Sequence, residues 1–228
     1  MQITIKRTNE TEEFEIPNDN ATLLKALYHL KNNIDNSLTF SSNCRSAVCG
    51  TCAMRVNGKE VLACSYSVQD GDLIEPLKYH EVQRDLKVNK QQVRETLKAS
   101  TAWLQASQET TITQDNVHET EKQSDCILCD ACYSACPVLE INPDFIGPFA
   151  LTRVHRYTSD PREADIATTI ANVQSNGIWD CTLCGECTAV CPQGIDPKMD
   201  INMLRGTATR LGYMDPNYKA MDFGFGGF

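Results

Sequence analysis

One unusual spelling occurs twice in this chain and narrows its possible folds more than any other feature. Cys126 to Pro137 reads CILCDACYSACP, and Cys181 to Pro192 reads CTLCGECTAVCP. Both are C-x2-C-x2-C-x3-C-P. Three thiolates at x2, x2 spacing can wrap three corners of a cubane iron–sulfur cluster, while the fourth, turned away by its proline, reaches the neighbouring cluster. The exchange predicts an interlocked pair. Cys126, Cys129, Cys132 and Cys191 are expected to hold one [4Fe-4S] cluster, and Cys136, Cys181, Cys184 and Cys187 the other. Two structural zinc sites would leave the repeated Cys-Pro unexplained.

Twelve cysteines in 228 residues invite a disulfide reading first. A disulfide framework needs an oxidising compartment, and the start MQITIKRTNE lacks the apolar stretch of an export signal. Clustered thiols in a reducing setting bind metal more often, because the thiolate is the ligand. No apolar run of roughly eighteen residues occurs, so the chain is not expected to span a membrane, and any membrane contact should come through partners. Thirty acidic residues against twenty-one basic ones give a formal charge of -9. That balance argues against nucleic acid, whose phosphates need a Lys/Arg surplus.

The first part of the chain alternates. ITIKR and EFEI are strand candidates, and ATLLKALYHL places Leu23, Leu24, Leu27 and Leu30 on one helical face, with Asn20 or Thr22 as its cap. Asn57-Gly58 between alternating apolar residues is a strong hairpin signal, and Asp70-Gly71 marks a further turn. Strand, strand, helix, loop, hairpin and strand fit a β-grasp domain. Inside it CRSAVCGTC sets Cys44, Cys49 and Cys52 at C-x4-C-x2-C spacing, with Cys64 beyond. This is the plant-type ferredoxin arrangement for a [2Fe-2S] cluster. Gly50 is expected to let backbone amides approach the sulfides. The alternative, a structural zinc site, favours paired C-x-x-C motifs over this loop.

From about Lys90 the pattern turns helical. KQQVRETLKASTAWLQA carries Val93, Leu97 and Leu104 at helical spacing, QETTITQDNVHETEKQSD reads as a polar connection, and Asp160-Pro161 with Glu163 reads as a helix start. PKMDINMLRGTATRLGY reads as another helix, and the terminal MDFGFGGF as a docking or flexible end. The expected class is α+β: a plant-type ferredoxin β-grasp domain over residues 1–95, then an all-α domain of the bacterial two-cluster ferredoxin type over residues 96–228.

Taken in order, CRSAVCGTCAMRVNG, LACS, IEPL, CILCDACYSACP, NPDFIGPFAL and CTAVCPQGIDP make the whole chain resemble the iron–sulfur subunits of succinate dehydrogenases and fumarate reductases. In that family an apolar or small residue usually stands at the position of Cys184. The residues matching Cys136, Cys181 and Cys187 then hold a [3Fe-4S] cluster. Here Cys184 restores a fourth ligand, which implies a second [4Fe-4S] cluster of lower potential; if Cys184 is instead an idle buried cysteine, [3Fe-4S] is the alternative. The succinate dehydrogenase branch also uses a Trp and a His near its quinone. The matching positions are Ile141 and Thr182, which weakens any expectation of the usual quinone pocket in this subunit.

The resemblance implies a non-catalytic electron-transfer subunit of a succinate:quinone oxidoreductase or quinol:fumarate reductase. Its partners would be a FAD-containing flavoprotein subunit and a membrane-anchor or cysteine-rich, heterodisulfide-reductase-like membrane-side subunit, with quinone reached indirectly. The expected location is cytoplasmic, at the inner face of the membrane through those partners. No G-x-G-x-x-G motif occurs and no cluster of His, Arg and carboxylates suggests a dicarboxylate site, so no catalytic residue is expected. His29, His80, His118 and His155 read as structural or surface residues, and Trp103 and Trp179 as packing, Trp179 also as a shield before Cys181. Two rivals stand beside this reading: an iron–sulfur subunit of another flavin-dependent oxidoreductase with a heterodisulfide-reductase-like partner, and a zinc-stabilised interaction module.

Overall fold

Strand β1 (Gln2–Lys6) alternates outward and inward, with Ile3 and Ile5 wholly buried, and pairs antiparallel with β2 (Thr11–Glu15). The computed structural model describes residues 1–8, 10–18 and 21–216; the expected cap Asn20 and the MDFGFGGF end lie outside them. β1 runs parallel to β5 (Asp72–Glu75), which pairs antiparallel with β3 (Ala53–Val56), and β3 forms a hairpin with β4 (Lys59–Leu62). Asn57 and Gly58 take φ of 50° and 82°, the left-handed pair a two-residue hairpin needs. The mixed sheet has the order β2-β1-β5-β3-β4. Helix α1 (Leu23–Asn33) lays Leu23, Leu24, Leu27 and Leu30 into the core under this sheet, and the Thr22 hydroxyl accepts from the Lys25 amide at its start. This is the expected β-grasp layout. A short hairpin of β6 (Val82–Arg84) and β7 (Lys87–Val88) follows. Arg7 anchors it by binding Asp85, Glu12 and Asp35 together.

The remaining named elements are helical. Helix α2 (Gln91–Ala99) is shorter than the periodicity suggested: Thr101 takes φ of 48°, and Glu163 accepts from the amides of Gln105 (2.6 Å), Ala106 (3.1 Å) and Asp165 (2.8 Å). That carboxylate holds the chain out of the helix, and Trp103 is left 43% exposed, contrary to its expected packing role. The boundary anticipated after residue 95 falls inside α2, whose Val93 belongs to the second core.

The expected polar connection contains helix α3 (Gln114–Ser124), closed by a capping box between Thr113 and Asn116. No residue of α3 is buried, so hydrophobic periodicity had nothing to register. Short helices α4 (Ala131–Ser134) and α5 (Val138–Ile141) lead to α6 (Pro148–Thr158). Helix α7 (Ile166–Ala171) starts at Asp165, whose carboxylate accepts from Thr168, and not at Asp160-Pro161. Asp160 is engaged by Arg162 through Nε (2.9 Å) and Nη2 (2.6 Å). Helix α8 (Glu186–Ala189) precedes α9 (Pro197–Arg210), capped by Asp196 with proline at its first position. Ile201, Leu204 and Ala208 of α9 meet Leu151 and Val154 of α6 in the second core.

The two cores are stitched together by buried polar groups. Ser134 donates to Glu60 at 2.7 Å and accepts from the Lys78 amide at 2.8 Å. Cys129 and Ala131, though late in sequence, pack into the first core.

Candidate metal centres

The cysteine loops turn on left-handed residues, most of which are not glycine. Leu128 and Asp130 take φ of 50° and 67°, and Leu183 and Gly185 take 56° and 89°. Alternation between right- and left-handed backbone turns successive amides to one side and makes a concavity for negative charge. In Cys126–Cys132 and Cys181–Cys187 the same two positions are left-handed, so the sequence repeat is also a backbone repeat. Arg45 and Ala47, at φ of 62° and 58°, build a third such loop between Cys44 and Cys49. Amides already reach sulfur: Ala47 donates to Cys64 at 3.2 Å, Ser46 to Cys44 at 3.4 Å and Leu183 to Cys181 at 3.4 Å.

Cys126, Cys129, Cys132 and Cys191 together line one pocket, walled by Ile127, Leu128, Phe149, Ile195 and Pro197. Four soft donors with apolar walls fit a thiolate-bound cubane. They converge although Cys191 is distant in sequence. Burial pushes the thiol of Cys129 up to about 11 and that of Cys132 well above its usual value, with neighbouring cysteines adding to both.

Cys136, Cys181, Cys184 and Cys187 form a second neighbourhood. Burial raises the Cys136 thiol to about 11 and the Cys187 thiol to about 12, and both also feel Cys181 and Cys184. Thiols held this high surrender protons when iron binds, so loading releases protons. Cys184 is exposed. In the first loop the balance differs: the Thr51 hydroxyl, with the Cys44 and Thr51 amides, holds the Cys49 thiol down at about 6, whereas burial raises Cys52 to about 11. Among the described residues no three His, Cys, Asp or Glu side chains are grouped to hold a single ion.

Side chains that the motifs did not mark also build these loops. Lys90 donates to the Cys129 carbonyl at 2.9 Å and lies 3.1 Å from the buried Asp130 carboxylate, with His80 behind it at 3.8 Å. Burial, helped by Lys90, lowers His80 to about 4, so it is neutral at ordinary pH. Arg205 reaches back from α9 to the carbonyls of Ile178, Trp179 and Cys181. Neither cation carries a spacing that would announce it. Trp179 lies against the Arg205 guanidinium at 5.7 Å and donates to Gln174. His155 faces Asp200 at 3.9 Å, His118 sits beside Glu121 on exposed α3, and His29 neighbours Asn33. Ile141 is 89% exposed and Thr182 is also exposed. Among the described residues no helix is long and apolar enough to cross a membrane.

A mixed-sheet ferredoxin-like unit joined to a helical unit with two Cys-Pro repeats defines an iron–sulfur electron-transfer protein. Residues 2–95 match the family described as 2Fe-2S iron-sulfur cluster binding domain, and residues 122–195 that described as 4Fe-4S dicluster domain. The fumarate reductase iron-sulfur subunit of Escherichia coli O6:H1 is 37% identical over 199 residues, covering 82% of each chain. The 8-methylmenaquinol:fumarate reductase iron-sulfur subunit of Wolinella succinogenes is 36% identical over 207 residues, covering 84% of this chain and 65% of that one. A chain of the Mycobacterium smegmatis Sdh1 complex in the apo form shares the fold, with a TM-score of 0.80 at 21% identity over 93% of this chain and 97% of that one. The chain belongs to the family of fumarate reductase iron–sulfur subunits, and its role is that of the electron-transfer subunit. The reading as a subunit of another flavin-dependent oxidoreductase is not favoured.

Proposed function

We propose that the chain conducts single electrons between a FAD-containing flavoprotein subunit and a membrane-side partner, either a membrane anchor or a cysteine-rich subunit. Quinone is reached indirectly, and the chain sits at the inner face of the membrane through its partners. The quinol named in the Wolinella relative supports a quinone-linked complex. Two cluster-bearing units meet within α2. Cys44, Cys49, Cys52 and Cys64 hold a [2Fe-2S] cluster toward the flavoprotein. Cys126, Cys129, Cys132 and Cys191 hold a [4Fe-4S] cluster, and Cys136, Cys181, Cys184 and Cys187 hold a second one toward the membrane-side partner. Each cluster supplies one-electron chemistry; the chain supplies thiolates, inward amides and apolar walls. Exposed Ile141, Thr182 and Cys184 support a partner over that last set, since Asn142 bonds the Asp180 carboxylate beside it at 3.3 Å.

The observation that carries the four-cysteine assignment is the backbone repeat. Leu183 and Gly185 flank Cys184 with the left-handed turns that Leu128 and Asp130 give Cys129, so Cys184 occupies a ligand's place in the loop. The test is iron and sulfide analysis with electron paramagnetic resonance on the anaerobically purified complex. About ten irons per chain and no oxidised three-iron signal are expected. The Cys184→Ser protein should lose about one iron and gain that signal. A wild-type three-iron signal at about nine irons would make Cys184 a bystander.

A further inference from the structure

Gly50 lies between two of the thiols assigned to the first cluster, Cys49 and Cys52, and it is buried. Its φ of 68° is left-handed, which alone favours glycine. Its surroundings are more demanding. A Cβ at this position would stand 2.8 Å from both Cα and Cβ of Cys129 and 3.0 Å from the carbonyl oxygen of Ile127. None of these atoms is the end of a flexible side chain, so none can swing aside. The missing Cβ lets the backbone of one thiol loop rest on the backbone of the next.

Other contacts hold the two loops in this embrace. The Gln193 side chain, two residues after Cys191, donates to the Ala47 carbonyl at 3.3 Å. Lys90 fixes the Cys129 carbonyl from the other side. Cys129 is only 8% exposed and packs into the β-grasp core. Van der Waals contact between the loops leaves no space for an intervening side chain or water at that point.

We propose that Gly50 is a positioning residue that sets the electronic coupling between the first and second thiol sets through its contact with Cys129. One electron leaves a reduced centre in the Cys44/Cys49/Cys52/Cys64 set and arrives at the Cys126/Cys129/Cys132/Cys191 set, or the reverse, with no bond made or broken. The inference rests on the ligand assignment proposed above. An added methyl group must push the Cys129 loop away by a few tenths of an ångström or more, and coupling that depends on overlap falls steeply with such a gap.

The experiment uses the complete complex carrying Gly50→Ala, with Gln193→Ala as a second variant free of backbone strain. Iron content and redox potentials are measured first. The magnetic relaxation of the [2Fe-2S] signal by the reduced second cluster is then compared with wild type, together with the intercluster rate after a reducing pulse. Full iron content, unchanged potentials, weakened relaxation and a several-fold slower rate are expected for Gly50→Ala, with a smaller change of the same sign for Gln193→Ala. Unchanged relaxation and rate in a fully loaded Gly50→Ala protein would overturn the inference. So would a shifted [2Fe-2S] potential with unchanged relaxation, because glycine would then serve only its own loop. If Gly50→Ala fails to load, Gln193→Ala decides, and wild-type behaviour there counts against the proposal. Missing iron in the wild-type complex would instead refute the ligand assignment.

Discussion

Asp200 shows how one buried residue sets a pH dependence. Its carboxyl, 2% exposed on α9, accepts from Gln123 at 2.8 Å and faces His155. Burial raises it from 3.8 to about 6, the Gln123 and Thr152 contacts opposing and Asp196 adding. The folded protein therefore keeps this proton through a range where the unfolded chain has lost it. Stability falls as pH rises between the unfolded value and about 6, and above that the penalty is constant at roughly 3 kcal/mol. Asp200→Asn keeps the acceptor for Gln123 and removes the charge. The variant should melt several degrees above wild type at pH 7.5, the gap closing toward pH 4, when both loaded proteins are followed by circular dichroism under anaerobic conditions. A gap independent of pH would mean that burial does not strain this carboxylate.

At the scale of the element, Asp196 both starts α9 and ties it to α8 before it. Its carboxylate accepts from the Met199 amide at 3.1 Å and from the Thr188 hydroxyl at 2.6 Å, one residue past Cys187. Asp196→Ala should cost about 1–2 kcal/mol, the usual range for a lost cap. Hydrogen exchange should quicken in the first turn of α9, and Thr188→Val should leave that turn protected. Equal protection of the turn in Asp196→Ala and wild type would mean that α9 does not need its cap. This helix was legible because Asp196-Pro197 is a local signal. Helix α3 was not, since it buries nothing and its capping box uses Asn116 where Glu or Gln is the usual mark. The end of α2 was also hidden, because Glu163, more than fifty residues away, draws Gln105 and Ala106 out of the helix. The cysteines were readable because ligation imposes spacing on neighbours in sequence. Lys90 and Arg205 were not, for each reaches its loop from a remote helix or its flank, and the contact of Gly50 with Cys129 exists only after folding.

For the whole molecule the question is whether the two units unfold as one. Ser134 lies between Cys132 and Cys136 yet makes its bonds to the other unit, donating to Glu60 and accepting from the Lys78 amide. Glu60 is 7% exposed and also lies 3.3 Å from the Arg55 guanidinium, so its carboxylate is part of a shared, buried joint. Ser134→Ala nearly preserves volume and removes both bonds, leaving the Lys78 amide without that acceptor and Glu60 short of a donor. Loss of one partner from a buried polar group costs about 1–3 kcal/mol. Because that cost falls on the joint and on neither core, it should reduce cooperativity more than it reduces the stability of each unit. In loaded wild-type protein, bleaching of the iron–sulfur absorbance and loss of far-ultraviolet dichroism should coincide on heating, the mark of a single transition. In Ser134→Ala the two curves should separate and move to lower temperature. Coincident curves at the wild-type midpoint would show that backbone contact around Gly50 and Cys129, with the apolar packing of Ala131, is enough to hold the units together.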